Sequence, residues 1–181
     1  MNLDDLRKPL RVDQIEFRVQ SINNGGYATI LAYKDARVDM NRLDEVVGPT
    51  NWERTHSRDN ANCTVSIWDA EKSQWISKED TGTESNTEKE KGLASDSFKR
   101  ACFNWGIGRE LYDFPVIQIR LNDDEWTTYE YQGKTRAKAT WKLNLKNWLW
   151  YLESNDYGTP TFLAANDGEN TRFQWGTRGV K

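Results

Sequence analysis

A single amphipathic segment near the middle of the chain is the strongest constraint on its fold. Residues 92–115 read GLASDSFKRACFNWGIGRELYDFP, and apolar side chains recur there at helical spacing. Rotation by about 100° per residue gathers on one half of the helix Leu93, Ala94, Ser97, Phe98, Ala101, Cys102 and Trp105. Gly106 and Gly108 then end the pattern. We therefore predict one helix at roughly 87–105 that buries this half.

Period-two alternation and turn residues predict strands on both sides of this helix. The strands are expected at 27–38, 51–56, 63–68, 74–77 and 116–121, with a final hairpin at 162–176 around Asp167 and Gly168. Residues 134–146 alternate between apolar and basic positions and predict a further strand. The expected class is therefore α+β, with antiparallel sheet packed on one long helix and a β-rich C-terminal third.

Two other helices are expected in the N-terminal part of the chain. Residues 3–20 are predicted to be helical, with Asp13 as an N-cap. A short helix, MNRLDEVV, is predicted to follow Asp39 as its cap and to stop at Gly48 and Pro49.

Composition and charge exclude several classes of protein. No run approaches about 18 apolar residues and the N-terminus lacks an apolar signal region, so we expect no membrane span and no secretory signal. Cys63 and Cys102 have no metal-binding spacing and are predicted to be free, buried thiols in the cytoplasm. The net charge of −3 argues against coating of nucleic acid by bulk attraction. Any nucleic-acid function requires basic residues gathered on one surface.

An enzymatic function is not expected. His56 is the only histidine, and no nucleophile arrangement surrounds it. The chain lacks a G-x-x-x-x-G-K-[ST] loop, which excludes a P-loop ATPase. An acidic cluster is more typical of a solvated turn and a helix N-terminus than of a metal site; its members are Glu79, Asp80, Glu84 and Glu88. We predict no catalytic residues, no metal and no cofactor.

The polar half of the predicted long helix contains an aromatic residue, Phe103. Viewed down the helix axis, Phe103 projects between Lys99 and Arg100. One interpretation is that Phe103 packs under a loop or a neighbouring subunit, and that the two bases are ordinary solvated charges. The other is a nucleic-acid groove, because lysine and arginine neutralise phosphates and an aromatic face stacks on a base for about 1–3 kcal/mol.

Three sequence motifs resemble those of a known family. ARVDMNRLDEVVGPTNWERTHS contains an arginine before a G-x-x-x-W element, and CTVSIWD precedes a D-x-G turn. The third, EDTGTESNTEKEKGLASDSFKRACFNWGIG, contains a K-R-A core and a terminal glycine. In this order and spacing, over about residues 25–115, they resemble the single-strand annealing proteins of the Rad-fifty-two (double-strand break repair) superfamily, and most closely its small phage and prophage members.

The resemblance implies a fold, an assembly and an activity. It implies a β-β-β-α annealing core at 1–115 and a β-rich extension at 116–181, expected to belong to the same compact unit. It also implies homo-oligomeric rings or helical filaments that hold single-stranded DNA in a basic groove. The implied function is annealing of complementary strands without ATP, in homologous recombination and double-strand break repair. The site of action would be the host-cell cytoplasm for a phage protein, with host or phage recombination and replication proteins as candidate partners.

The resemblance also implies DNA-binding residues. Arg37 matches the strand arginine of the groove. Lys34 lies on the same predicted strand and is a candidate for that reason. Lys99 and Arg100 match the K-R pair of the helix. Phe103 stands where other members place a further arginine. The nearest candidates for a second, outer DNA site are Lys89 and Lys91.

Lys138 is a candidate for a different reason. It belongs to the basic face of the strand predicted at 134–146, which is either an ordinary solvated face or a second DNA-contacting surface. Two other functions remain open. The protein is either a passive single-stranded DNA-binding protein or an oligomeric interaction module whose nine tryptophans serve subunit contacts.

Overall fold

A computed structural model describes residues 2–83 and 89–179, apart from the side chains of 89–91. In chain order its regular elements are β1 (Glu16–Ile22), β2 (Tyr27–Tyr33), α1 (Ala36–Val47), β3 (Trp52–Ser57), β4 (Asn62–Asp69), β5 (Gln74–Thr81), α2 (Lys89–Trp105), β6 (Ile117–Arg120), β7 (Trp126–Tyr131), β8 (Lys134–Ala139), β9 (Leu149–Ser154), β10 (Pro160–Asn166) and β11 (Thr171–Gly176). All strand pairs are antiparallel, in sheets ordered β1-β2-β6, β3-β4-β5, β7-β8 and β11-β10-β9. The predicted α+β class is confirmed.

The described chain divides into two compact units. The first comprises Met1–Leu10 and Lys34–Arg109, and the second comprises Arg11–Tyr33 and Glu110–Lys181. The division does not follow the predicted boundary between residues 115 and 116, because β2, which pairs with β1 on one side, pairs on its other side with β6 of the C-terminal part.

In the first unit, the β3-β4-β5 meander packs against α2. Val65 of β4 and Phe98 of α2 are fully buried in a shared core. The indole Nε1 of Trp105 donates a hydrogen bond of 3.0 Å to the carbonyl of Val65, so the last turn of α2 is fixed to the middle of the sheet by a buried polar contact.

Gly82 allows β5 to end directly against α2. A Cβ at this position would lie 2.6 Å from the backbone nitrogen of Ser97 and 3.0 Å from the carbonyl oxygen of Leu93. Asp96 accepts hydrogen bonds from the backbone and hydroxyl of Thr83 at 2.9 and 3.3 Å. The glycine of the D-x-G turn is therefore required by close approach of two backbones.

In the second unit, aromatic side chains fill much of the core. Phe17 and Trp150 stack with parallel rings whose centroids are 3.6 Å apart. The side chain of Arg172 is 8% exposed and donates to the carboxylates of Glu125 and Asp167 at 2.6 and 2.8 Å, which satisfies its charge inside this unit.

The helix predicted at 3–20 is wrong. The chain forms short 3₁₀ turns at Leu3–Arg7 and Val12–Gln14 and then strand β1. Pro9 interrupts a helix at this point. Within β1, half-buried Phe17 and Val19 alternate with exposed Arg18, which is the period of a strand.

The strand predicted at 27–38 is too long, and the predicted cap of the next helix is wrong. β2 ends at Tyr33, and Asp35 caps α1 by accepting a hydrogen bond of 2.8 Å from the backbone of Arg37. Asp39, the predicted cap, lies one turn inside α1 and is fully buried.

The strand predicted at 134–146 is also too long. β8 ends at Ala139, where Thr140 bonds the backbone of Glu125 and the carbonyl of Asp124 and turns the chain. Trp141, which falls on the apolar side of the alternation at 134–146, is 86% exposed. The strands predicted at 63–68 and 74–77 correspond to β4 and β5, the hairpin predicted at 162–176 to β10-β11, and the long helix to α2. Among the helices of the described residues, none is long and apolar enough to cross a membrane.

Candidate nucleic-acid interface

The predicted DNA-binding residues fall into two groups. Lys34, Arg37, Lys99, Arg100 and Phe103 all belong to the first unit, at the start of α1 and on α2. In contrast, Lys138 belongs to β8 of the second unit. The side chains of Lys89 and Lys91 lie outside the described residues, so the prediction of an outer site stays a prediction.

Lys34 is not a surface residue. Its side chain is 1% exposed and forms an ion pair with Asp39, which is fully buried. Its ammonium also donates to the carbonyl of Lys99 at 3.4 Å. A buried and paired ammonium cannot contact a strand on the surface, so the structure contradicts the predicted direct contact of Lys34 with DNA.

Asp39 is held in an unusual electrostatic environment. Burial raises the pKa of Asp39 to about 6, although the charges of Lys34 and Lys99 and a hydrogen bond from Lys34 act in the opposite direction. Burial, with the nearby Asp39 carboxylate, also raises the pKa of the Cys102 thiol. The thiol therefore stays protonated at neutral pH and is unreactive.

Phe103 covers this buried pair. The ammonium of Lys34 lies 4.3 Å from the centroid of the Phe103 ring, in cation–π geometry, and the side chain is half-buried. The aromatic residue on the polar half of α2 thus has a partner within its own chain. This geometry favours the packing interpretation over stacking on a base, with a buried lysine as the packing partner in place of the predicted loop or subunit.

Two of the remaining cations of this group, Arg37 and Lys99, act on one carboxylate, that of Asp35. Arg37, which is 77% exposed, pairs with Asp35 at 2.8 Å. Hydrogen bonds from Arg37 lower the pKa of Asp35, and the charge of Lys99 lowers it further. Residues 62 positions apart in the chain, Arg37 and Lys99, therefore act on the same carboxylate. We call Arg37, Lys99 and Arg100 the α1–α2 basic surface.

Arg100 follows Lys99 on α2, and its charge is partly neutralised. Its guanidinium pairs with Asp96 one turn earlier at 3.3 Å, with about a third of each side chain exposed. Three cations thus face two carboxylates, Asp35 and Asp96. A phosphate that binds here has to compete with these exposed pairs, which contribute little to stability.

Lys138 is exposed on β8, and its ammonium lies 5.3 Å from the ring centroid of Tyr129 on β7. The basic face is predicted from the sequence, but its aromatic partners, Tyr129 and Tyr131, are not. The alternation in WTTYEY at 126–131, opposite the alternation in KTRAKA at 134–139, is the signal that identifies them.

The residues considered for catalysis have structural partners. Glu79 accepts hydrogen bonds from Asn62 and Thr64, each at 2.9 Å. Burial lowers the pKa of His56, which lies 3.5 Å from the hydroxyl of Ser97. Among the described side chains, those of residues 2–83 and 92–179, no three His, Cys, Asp or Glu residues are grouped to hold a metal ion. Glu84 and Glu88 lie outside the described residues.

The chain was compared with known proteins, and no family model, curated protein or solved structure matches it.

Proposed function

We propose that this chain binds single-stranded DNA and anneals complementary strands without ATP, in homologous recombination and double-strand break repair. The observation that carries the proposal is the convergence of Arg37 and Lys99 on Asp35, with Arg100 beside them on α2. The resemblance of the three sequence motifs supports the same function, since it relates these three cations to a DNA groove.

The chemistry of annealing needs no bond making, so a binding surface is sufficient. Arg37, Lys99 and Arg100 would neutralise phosphates and reduce the repulsion between two strands. Asp35 and Asp96 hold the cations in place until a phosphate replaces them, because exposed ion pairs exchange at low cost. The buried pair of Lys34 and Asp39 would fix the position of Lys99, because the ammonium of Lys34 donates a hydrogen bond to the carbonyl of Lys99.

An extended strand requires more than one copy of this small surface. We therefore propose a homo-oligomer, as a ring or a helical filament, that repeats the α1–α2 basic surface along the DNA. Cys63 and Cys102 are both free and buried, which fits a protein of the reducing cytoplasm. Host or phage recombination and replication proteins remain the proposed partners.

The first prediction tests the α1–α2 basic surface. We expect Lys99→Ala with Arg100→Ala to lower the affinity for a single-stranded oligonucleotide by at least about tenfold, because each charge-assisted phosphate contact contributes roughly 1 kcal/mol or more. Fluorescence anisotropy measures the affinity, and the rate of duplex formation from complementary strands measures annealing.

The matched control is Lys8→Ala with Lys72→Ala. This variant removes the same charge from the same unit, and both lysines are exposed and paired to a nearby aspartate. It should retain affinity and annealing. Equal affinity of the Lys99/Arg100 variant and the wild type would contradict the assignment of the surface. Wild-type binding that slows duplex formation would identify a passive coat, and a monomeric mass in light scattering would contradict the proposed assembly.

A further inference from the structure

The β7-β8 hairpin has one face that combines aromatic rings with positive charge. In its antiparallel register Tyr129 lies opposite Arg136 and Tyr131 lies opposite Lys134. Alternate residues of a strand point to the same face, so Lys138 joins the same side. We call these five residues the hairpin face.

The rings and charges of the hairpin face are accessible. Tyr129 is 38% and Tyr131 is 49% exposed, and the three cations are exposed as well. The guanidinium of Arg136 lies 4.9 Å from the Tyr131 ring centroid, and the ammonium of Lys138 lies 5.3 Å from that of Tyr129. Each ring therefore stands beside a cation within the same face.

The charge of the hairpin face is not neutralised by neighbouring carboxylates. Within the part of the chain that the structure describes, none of its three cations forms an ion pair. Glu130, the nearest acidic residue in sequence, alternates to the opposite face and accepts a hydrogen bond of 2.6 Å from Thr135. The hairpin face differs here from the α1–α2 basic surface, where carboxylates accompany the cations.

The other side of the hairpin is anchored within the second unit. The ring of Trp126 lies against Gly26, where a Cβ would be 2.7 Å from the indole. The side-chain amide of Asn24 donates to the carbonyl of Thr135 at 3.3 Å. The hairpin is thus held by its other residues, and the exposed tyrosines are not required to hold it in place.

We propose that the hairpin face is a second contact site for single-stranded DNA, in which Tyr129 and Tyr131 stack on bases and the three cations bind the adjoining phosphates. Alternate residues of a strand repeat at about 7 Å, so the two rings can receive two bases of an extended strand. A polyanion with aromatic faces matches both chemical features of this surface, whereas an acidic peptide would match only the charge. The inference rests on the proposed function, and it adds a base-stacking contact that the α1–α2 basic surface lacks.

The second prediction separates stacking from charge. Tyr129→Ala with Tyr131→Ala should lower the affinity for oligothymidylate by about tenfold or more, since stacking on an aromatic side chain contributes substantially for each base. The affinity of this variant for an abasic oligonucleotide of the same length should equal the affinity of the wild type. Tyr129→Phe with Tyr131→Phe keeps the rings and should keep both affinities. Melting temperature and near-ultraviolet circular dichroism check the fold of each variant.

The outcomes distinguish this inference from the proposed function. If the alanine variant binds oligothymidylate as tightly as the wild type while Lys99→Ala with Arg100→Ala loses affinity, the hairpin face is not a DNA site and the proposed function stands. An equal loss on both oligonucleotides would also overturn the stacking role. If the wild type binds neither oligonucleotide, the proposed function and this inference both fail. A loss confined to oligothymidylate in the alanine variant supports the stacking site.

Discussion

At the scale of single residues, the buried pair of Lys34 and Asp39 carries a desolvation cost within the first unit. Both side chains are removed from water, and desolvation of two charges often exceeds the attraction between them. Phe103 covers the ammonium, and the carbonyl of Lys99 accepts a hydrogen bond from it. The pair is therefore a candidate for a specific role in holding α2 at the start of α1.

The third prediction concerns the pH dependence that Asp39 gives to stability. Its pKa is about 6 in the folded chain against an ordinary value of 3.8, so the folded state holds the proton more tightly. Stability contributed by this group is fully present below pH 3.8 and is lost as the pH rises towards 6. The loss is roughly 3 kcal/mol.

Asp39→Asn removes this titration and provides the test. Urea unfolding of both proteins at several pH values from 4 to 7 gives the difference in unfolding free energy, in which all other titrating groups cancel to first order. The wild type should lose stability relative to Asp39→Asn across this range. If the wild type instead gains stability relative to Asp39→Asn as the pH rises, the attraction of Lys34 and Lys99 lowers the pKa of Asp39 more than burial raises it.

At the scale of elements, the junction of β5 and α2 depends on one glycine. The fourth prediction is that Gly82→Ala lowers the unfolding free energy by about 1–3 kcal/mol, as overpacking typically does. The added methyl group would meet backbone atoms of Ser97 and Leu93, which cannot move aside as a flexible side chain can.

Gly179→Ala is the control for this substitution. Its Cβ would lie 3.5 Å from a carboxylate oxygen of Glu153, which is an ordinary contact with a flexible side chain. We expect a change within about 0.5 kcal/mol in urea unfolding. An equally small effect of Gly82→Ala would show that α2 and β5 can separate at this point without cost.

Whether an element can be predicted from the sequence depends on whether its apolar pattern and its ends are set by nearby residues. Periodicity located α2 because its buried half, from Leu93 to Trp105, is continuous and two glycines end it. Periodicity failed for β1, because apolar residues of 3–20 also fit a helical spacing and their true partners lie in β2, which is paired through tertiary contacts. The end of β8 was missed because hydrogen bonds of Thr140 to residues 124 and 125 set it.

The candidate site was predicted in part for similar reasons. Helical spacing predicts Lys99, Arg100 and Phe103 on one side of α2, and α2 is present at these residues. The burial of Lys34 is not visible in the sequence, because the pattern predicts its partner Asp39 as a helix cap. A capping aspartate four residues earlier, Asp35, moved Asp39 into the interior and provided a buried counter-charge.

At the scale of the whole molecule, a chain with a net charge of −3 must bind a polyanion through local surfaces. The proposal uses two of them, the α1–α2 basic surface and the hairpin face, with three cations each. Binding through phosphates releases counterions, so the affinity must fall as the salt concentration rises.

The fifth prediction uses this salt dependence to count the phosphate contacts. If all six cations contact a phosphate, the slope of log affinity against log salt is about −4 per protomer, since each contact to a single strand contributes about 0.7. Lys99→Ala with Arg100→Ala should make the slope shallower by about 1.4. Arg136→Gln with Lys138→Gln should make it shallower by a similar amount, because it also removes two phosphate contacts.

Tyr129→Ala with Tyr131→Ala is the internal control for the salt titration. It removes two rings and no charge, so the affinity should fall while the slope keeps its wild-type value. The measurement is equilibrium binding of oligothymidylate over a series of salt concentrations. A wild-type slope near zero would contradict both surfaces at once, because it would mean that phosphates contribute nothing to binding. A change of slope in the tyrosine variant would mean that the rings act only by positioning Arg136 and Lys138, which lie beside them in the hairpin face.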